Sequence, residues 1–121
     1  MKGSCLCGAV TFQTAAKPGG FAACHCTQCR KQSGHVWASA HVPDKALTIQ
    51  GDVRWYPSSE KAKRGFCPVC GSALFWKHVD DPHISFSLGS VDGATDAHLR
   101  KHIFTPFKGD YYDIADGVPQ S

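Results

Sequence analysis

At 121 residues, with 42% hydrophobic and 19% charged residues, the chain has the composition of a globular protein, and its length fits one domain over residues 1–121. No stretch approaches the ~18 uninterrupted apolar residues of a membrane span, and Met1 to Cys7 lacks a secretory apolar run, so neither insertion nor export is expected and the cytoplasm is the expected location. The formal charge of +3 invites a nucleic-acid partner. Seven ionised thiols on two divalent ions would cancel it, however, and no basic stripe with interleaved aromatics is present, so none is expected.

The first feature in chain order is Cys5-Leu6-Cys7. Two cysteines two residues apart on extended backbone leave from the same face and can reach one ion. In a reducing compartment an odd count of seven cysteines points to metal or chemistry rather than to disulfides. Alternation of apolar and polar residues then predicts a strand from Ala9 to Thr14, closed by turn chemistry at Lys17-Pro18-Gly19-Gly20.

Cys24-His25-Cys26-Thr27-Gln28-Cys29 follows, and a short helix is predicted from Thr27 to Ser33, with Thr27 capping its start and Gly34 ending it. Strands are predicted at Val36 to Val42, Leu47 to Gln50 and Val53 to Tyr56, separated by Pro43-Asp44, Gly51-Asp52 and Pro57-Ser58-Ser59. Lys61, Lys63 and Arg64 read as a solvated loop, with substrate binding as the alternative. Cys67-Pro68-Val69-Cys70-Gly71 is the most specific signal, since two intervening residues let a tight turn aim both sulfurs at one point and the glycine permits a close backbone approach. Strands at Ala73 to Lys77 and Ile84 to Leu88, a short turn over Ala94 to Leu99, and an irregular tail packed through Phe107, Tyr111 and Tyr112 complete a mainly β reading with one or two short helices.

One CxxC supplies half of a tetrahedral site, and its partners are either Cys5 with Cys7 or two of Cys24, Cys26 and Cys29. Joining Cys5, Cys7, Cys67 and Cys70 gives a closed structural zinc site and leaves Cys24, Cys26 and Cys29 as an open, catalytic type of zinc site. The competing reading closes that trio with His35 or His41, and an iron-sulfur cluster is a further alternative. His25 should point away from the sulfurs flanking it, orienting one of them or facing solvent, and becomes a proton shuttle only if its ring reaches the open side. Arg30 and Lys31 read as a solvated helix face that can also offset sulfur charge. His102 reads as a packing residue, and Trp37, Trp55, Trp76, Phe75 and Phe86 as core, with one of them available to wall a pocket.

The blocks GSCLCGAV (Gly3 to Val10), CHCTQCRKQSG (Cys24 to Gly34), FCPVCGSA (Phe66 to Ala73), GSVD (Gly89 to Asp92) and HIF (His102 to Phe104) resemble, in order and spacing, the glutathione-dependent formaldehyde-activating family, which includes the centromere protein V relatives. Relatives often carry Trp where this chain has Tyr111. The resemblance implies small coiled antiparallel sheets around a structural zinc, the Mss-four-like fold. It implies the same metal division, with Cys5, Cys7, Cys67 and Cys70 on a structural ion and Cys24, Cys26 and Cys29 on a catalytic one. It also implies a carbon-sulfur lyase that adds glutathione, or a similar thiol, reversibly to formaldehyde or another small aldehyde. The rival function is a zinc-stabilised protein-binding module without catalysis.

Overall fold

The computed structural model describes residues 1–121 and is mainly β, with ten strands and one α-helix. Strands β1 (Lys2–Ser4), β2 (Thr11–Gln13) and β5 (Thr48–Gln50) form a small antiparallel sheet in the order β1-β2-β5. The larger sheet contains β3 (Gly19–Cys24), β4 (Trp37–Pro43), β6 (Arg54–Pro57), β7 (Ala62–Phe66), β8 (Ala73–His78), β9 (His83–Ser87) and β10 (Lys101–Ile103). Its order is β10-β3-β4-β9-β8-β7-β6, and every pair is antiparallel except β10 with β3. No helix is long and apolar enough to cross a membrane.

The main core lies where the two sheets meet. Phe12 of β2 packs edge-on against Phe75 at 5.4 Å between ring centres and tilts against Phe86 at the same distance, with Leu74, Val42 and Ile84 filling the surrounding space. Cys5 and Cys67 are buried in this same cluster, which ties the first sulfur group to the core. Cys24, Cys29 and Trp37 form a second, smaller cluster, on which Trp76 and Ile103 pack. Burying each large apolar side chain contributes roughly 1.5–3 kcal/mol, so the Phe12, Phe75 and Phe86 trio is a principal stabilising element.

All six predicted strands are present with bounds within two residues of those expected, and β1, β3, β7 and β10 are additional to them. Their sequences explain why: β3 is Gly-Gly-Phe-Ala-Ala-Cys, β7 carries Lys63 and Arg64, and the other two span three residues each. Pairing with neighbours, rather than intrinsic propensity, makes them strands. The turn expected over Ala94 to Leu99 is absent, and residues 94–100 run without regular structure.

Helix α1 (Thr27–Ser33) has the expected bounds, yet Thr27 is not its cap. Cys26 takes the extended N-cap conformation, and its Sγ accepts the amide of Cys29 at 3.3 Å. Gly34 ends the helix in the left-handed region at φ 87°, where its amide donates to the Arg30 carbonyl.

Candidate metal centres

The sulfurs of Cys5, Cys7, Cys67 and Cys70 all lie within 4.8 Å of one another. Four thiolates bound to zinc at about 2.3 Å subtend tetrahedral edges of about 3.8 Å. The Cys5 to Cys7 and Cys7 to Cys67 separations are 3.6 and 3.8 Å, so the donor set and its spacing fit that ion. A turn, not the expected extended segment, brings Cys5 and Cys7 together, with the Gly8 amide donating to the Cys5 carbonyl at 3.1 Å. On the other side the Gly71 amide reaches the Cys67 carbonyl at 2.8 Å, a turn that puts Gly71 at φ 80°.

Polar contacts around these sulfurs favour ionisation unevenly. Burial opposes it at Cys5, but the Val10 amide, 3.2 Å from the sulfur, and the Cys67 and Cys7 thiols hold the group below its usual value. The Ser72 hydroxyl, followed by the Ser72 and Cys7 amides, lowers Cys70 to about 5. At Cys7 the Ala9 amide favours the thiolate, yet lost hydration and the Cys5, Cys70 and Cys67 sulfurs together push the group up to about 11. Four negative sulfurs at this spacing repel one another, and a divalent cation is the charge that lets all four ionise.

The second group is Cys24 at the end of β3, Cys26 at the helix cap and Cys29 in the first turn of α1. Their sulfurs also lie within 4.8 Å of one another, and no histidine or carboxylate ligand atom joins them. His35 bonds Tyr111 Oη through Nδ1 at 2.6 Å, and His41 packs on His83, so neither closes the trio. Cys24 and Cys29 are buried and Cys26 is half-buried. The Cys24 thiol lowers Cys29 most, and Arg64 also lowers it, bringing it against burial to about 6; contact with Cys29 and burial raise Cys24 far above its usual range. The donor chemistry again fits zinc, with three protein sulfurs instead of four.

Arg64 corrects the sequence reading most sharply. It is no solvated loop residue: β7 carries it into the interior, 6% exposed, with Nη1 3.5 Å from Cys29 Sγ. Gln28 and Gln32, one turn apart on α1, accept from Nη2 and Nη1 at 3.2 and 3.3 Å and fix the guanidinium plane. Lys61 and Lys63 remain exposed, the former paired with Asp80.

His25 is buried and points away from the sulfurs, as expected, but not to solvent. Its Nδ1 lies 2.6 Å from Tyr112 Oη and its Nε2 lies 2.9 Å from His102 Nδ1, while His102 Nε2 lies 2.8 Å from Asp116 Oδ2. With both rings neutral the directions are fixed: His102 Nε2–H donates to the carboxylate, His25 Nε2–H donates to His102, and the Tyr112 hydroxyl donates to His25. Burial lowers the basicity of His25. The ring therefore anchors the tail beneath the cysteine loop, and both its nitrogens are engaged.

A cavity of about 530 Å³ opens over the trio, floored by Cys24, Cys26 and Cys29 and walled by Trp37, Trp76 and Phe104. Trp37 is thus a core residue that also walls a pocket, whereas Trp76 is half-buried and walls it from outside the buried cluster. A second cavity, about 700 Å³, carries Lys31, Arg54 and Trp55, and Gln28 and Arg64 border both. Arg64 Nε and Trp37 Nε1 are buried without a hydrogen-bond partner. Arg30 binds the Phe107 carbonyl at 2.9 Å, so of the two helix cations only Lys31 faces a cavity.

A mainly β chain with two sulfur groups of four and three defines a class of small cysteine-rich proteins suited to zinc. The model of the family described as "Glutathione-dependent formaldehyde-activating enzyme" matches residues 1–106, and the chain belongs to that family. It is also similar to a Schizosaccharomyces pombe protein named an uncharacterized lyase, 25% identical over 122 residues and spanning 95% of this chain and 85% of that one. A crystal structure of a Rhodobacter sphaeroides protein superposes with a TM-score of 0.59 at 25% identity, covering 79% of this chain and 92% of the other.

Proposed function

We propose that the chain is a zinc-dependent carbon-sulfur lyase that joins a glutathione-like thiol reversibly to formaldehyde or a similar small aldehyde. Residues 1–121 act as one domain, with Cys5, Cys7, Cys67 and Cys70 holding a structural ion and Cys24, Cys26 and Cys29 holding a catalytic one. The observation that carries this reading is a cavity floored by three sulfurs that no fourth protein ligand joins. Cys24, Cys26 and Cys29 would hold zinc there, and the ion would supply a Lewis acid to acidify a bound thiol.

The chain's own residues account for the rest. In the forward direction a carbon-sulfur bond forms, the carbonyl π pair moves to oxygen, and the thiol proton ends on that oxygen; the lyase direction reverses these changes. Negative charge gathers first at sulfur and then at oxygen. Arg64, beside Cys29, offsets the first. Lys31 and Arg54 in the adjoining cavity suit the carboxylates of an anionic thiol. His25 has no place in proton transfer on this reading, because both of its nitrogens are engaged.

Thiols add to formaldehyde unaided, so the deciding experiment compares rates. Exchange between free and adduct glutathione, followed by NMR, is expected to accelerate with the two-zinc protein and to return to the uncatalysed rate with Cys26→Ser. Two bound ions with no acceleration and no response to thiol would favour a zinc-stabilised binding module instead.

A further inference from the structure

The cavity over the cysteine trio, about 530 Å³, is far larger than a one-carbon aldehyde. Its walls include the rings of Trp37, Trp76, Phe104 and Phe107 with the Ile103 side chain; the Thr27, Ser39 and Ser85 hydroxyls also line it, and its one charged side chain, Arg64, stands with Gln28 where it meets the second cavity. Phe104 and Phe107 are each more than half exposed at 53% and 55%. Phe104 is held there in the left-handed region at φ 55°, ψ 38°, a conformation that is strained for a bulky residue and persists where the surroundings impose it.

Charge therefore divides between the two cavities. On one side lie exposed cations, Lys31 and Arg54, and on the other lies a ring-lined space that formaldehyde would leave almost wholly wet. Water against four aromatic walls is poorly hydrogen-bonded and is released at a gain when an apolar group replaces it. A thiol bound through its carboxylates on the basic side must direct its sulfur-bound carbon toward the rings.

We propose that the preferred substrate is an adduct of an anionic thiol with an apolar aldehyde of about aromatic size, its hydrocarbon part lying against Trp37, Trp76, Phe104 and Phe107. This deepens the lyase reading and rests on it. The bond change is the same: thiol and aldehyde combine to a hemithioacetal, the carbon-sulfur bond forming as the thiol proton is transferred to the carbonyl oxygen.

The test measures exchange acceleration by the two-zinc protein with glutathione and either formaldehyde or phenylacetaldehyde, each against its own uncatalysed rate. Acceleration for phenylacetaldehyde is expected to exceed that for formaldehyde by about tenfold or more, from burial of the ring. Trp76→Ala is expected to bring that ratio down toward one. Binding of S-benzylglutathione tighter than S-methylglutathione by a similar factor, measured by calorimetry, provides a readout independent of turnover. Acceleration of formaldehyde alone, or equal binding of the two thioethers, overturns the proposal and leaves the lyase reading intact; acceleration of neither aldehyde removes both.

Discussion

Arg64 shows how a single side chain sets the character of the trio. A guanidinium 3.5 Å from Cys29 Sγ, buried and locked by Gln28 and Gln32, stabilises negative sulfur in a region of reduced dielectric. Groups that support metal ligands from outside commonly change metal affinity by about 10–100-fold when removed, and Arg64→Gln is expected to fall in that range for the second ion alone. The sign in pH follows: without the cation, thiolates are less favoured, protons displace the metal more readily, and release of the second ion moves to higher pH. A zinc indicator read across a pH series checks this, and an unmoved release curve would make Arg64 a packing residue only. Nothing in Lys61 to Arg64 signals burial, because a basic run between turn residues has the composition of a wet loop, and only the pairing of β7 with β8 turns Arg64 inward. The cysteines were legible for the opposite reason, since their chemistry resides in spacing that needs no tertiary contact to be read.

At the scale of elements, the tail is the least predictable part and yet touches the site. Tyr112 reaches His25, Asp116 reaches His102, and the Ser121 and Pro119 backbones bond β10 and its neighbour. The His102 ring and the Val118 amide hold Asp116 below the usual 3.8. The folded state therefore binds fewer protons than the unfolded state through that range, and the contribution of Asp116 is present above about pH 4 and lost as pH falls through its folded pKa. Asp116→Asn is expected to loosen residues 108–121 at neutral pH, seen as faster amide exchange there, and the difference from the parent should shrink below pH 4. Equal exchange at neutral pH would show that Asp116 does not hold the tail. The bounds of the helix, by contrast, are readable, since Gly34 marks its end locally, although its cap is the Cys26 sulfur and not Thr27. The strands of small or charged residues, β3 and β7, are not readable, because neighbours decide them.

At the scale of the whole molecule, the proposed reading gives the two sulfur groups different duties. Cys5 and Cys67 belong to the main core, whereas the trio belongs to a small cluster under a cavity. Cys67→Ser is accordingly expected to unfold the chain at 37 °C, since a structural site contributes folding energy directly, while Cys26→Ser should retain the native circular dichroism and lose thiol response. Two variants behaving alike would contradict the division. Fold class and the two cysteine groupings could be read from the sequence, but the cavity, its ring walls and Arg64 could not, because they are assembled from α1, β4, β7, β8 and the β10 exit. The measurement that tests the central claim most directly is zinc X-ray absorption of the two-zinc protein with and without glutathione. One closed and one three-sulfur centre give an average of about 3.5 sulfurs per ion, rising to about 4 when the thiol binds. An average already at 4 without glutathione, or one that glutathione leaves unchanged, would contradict the account.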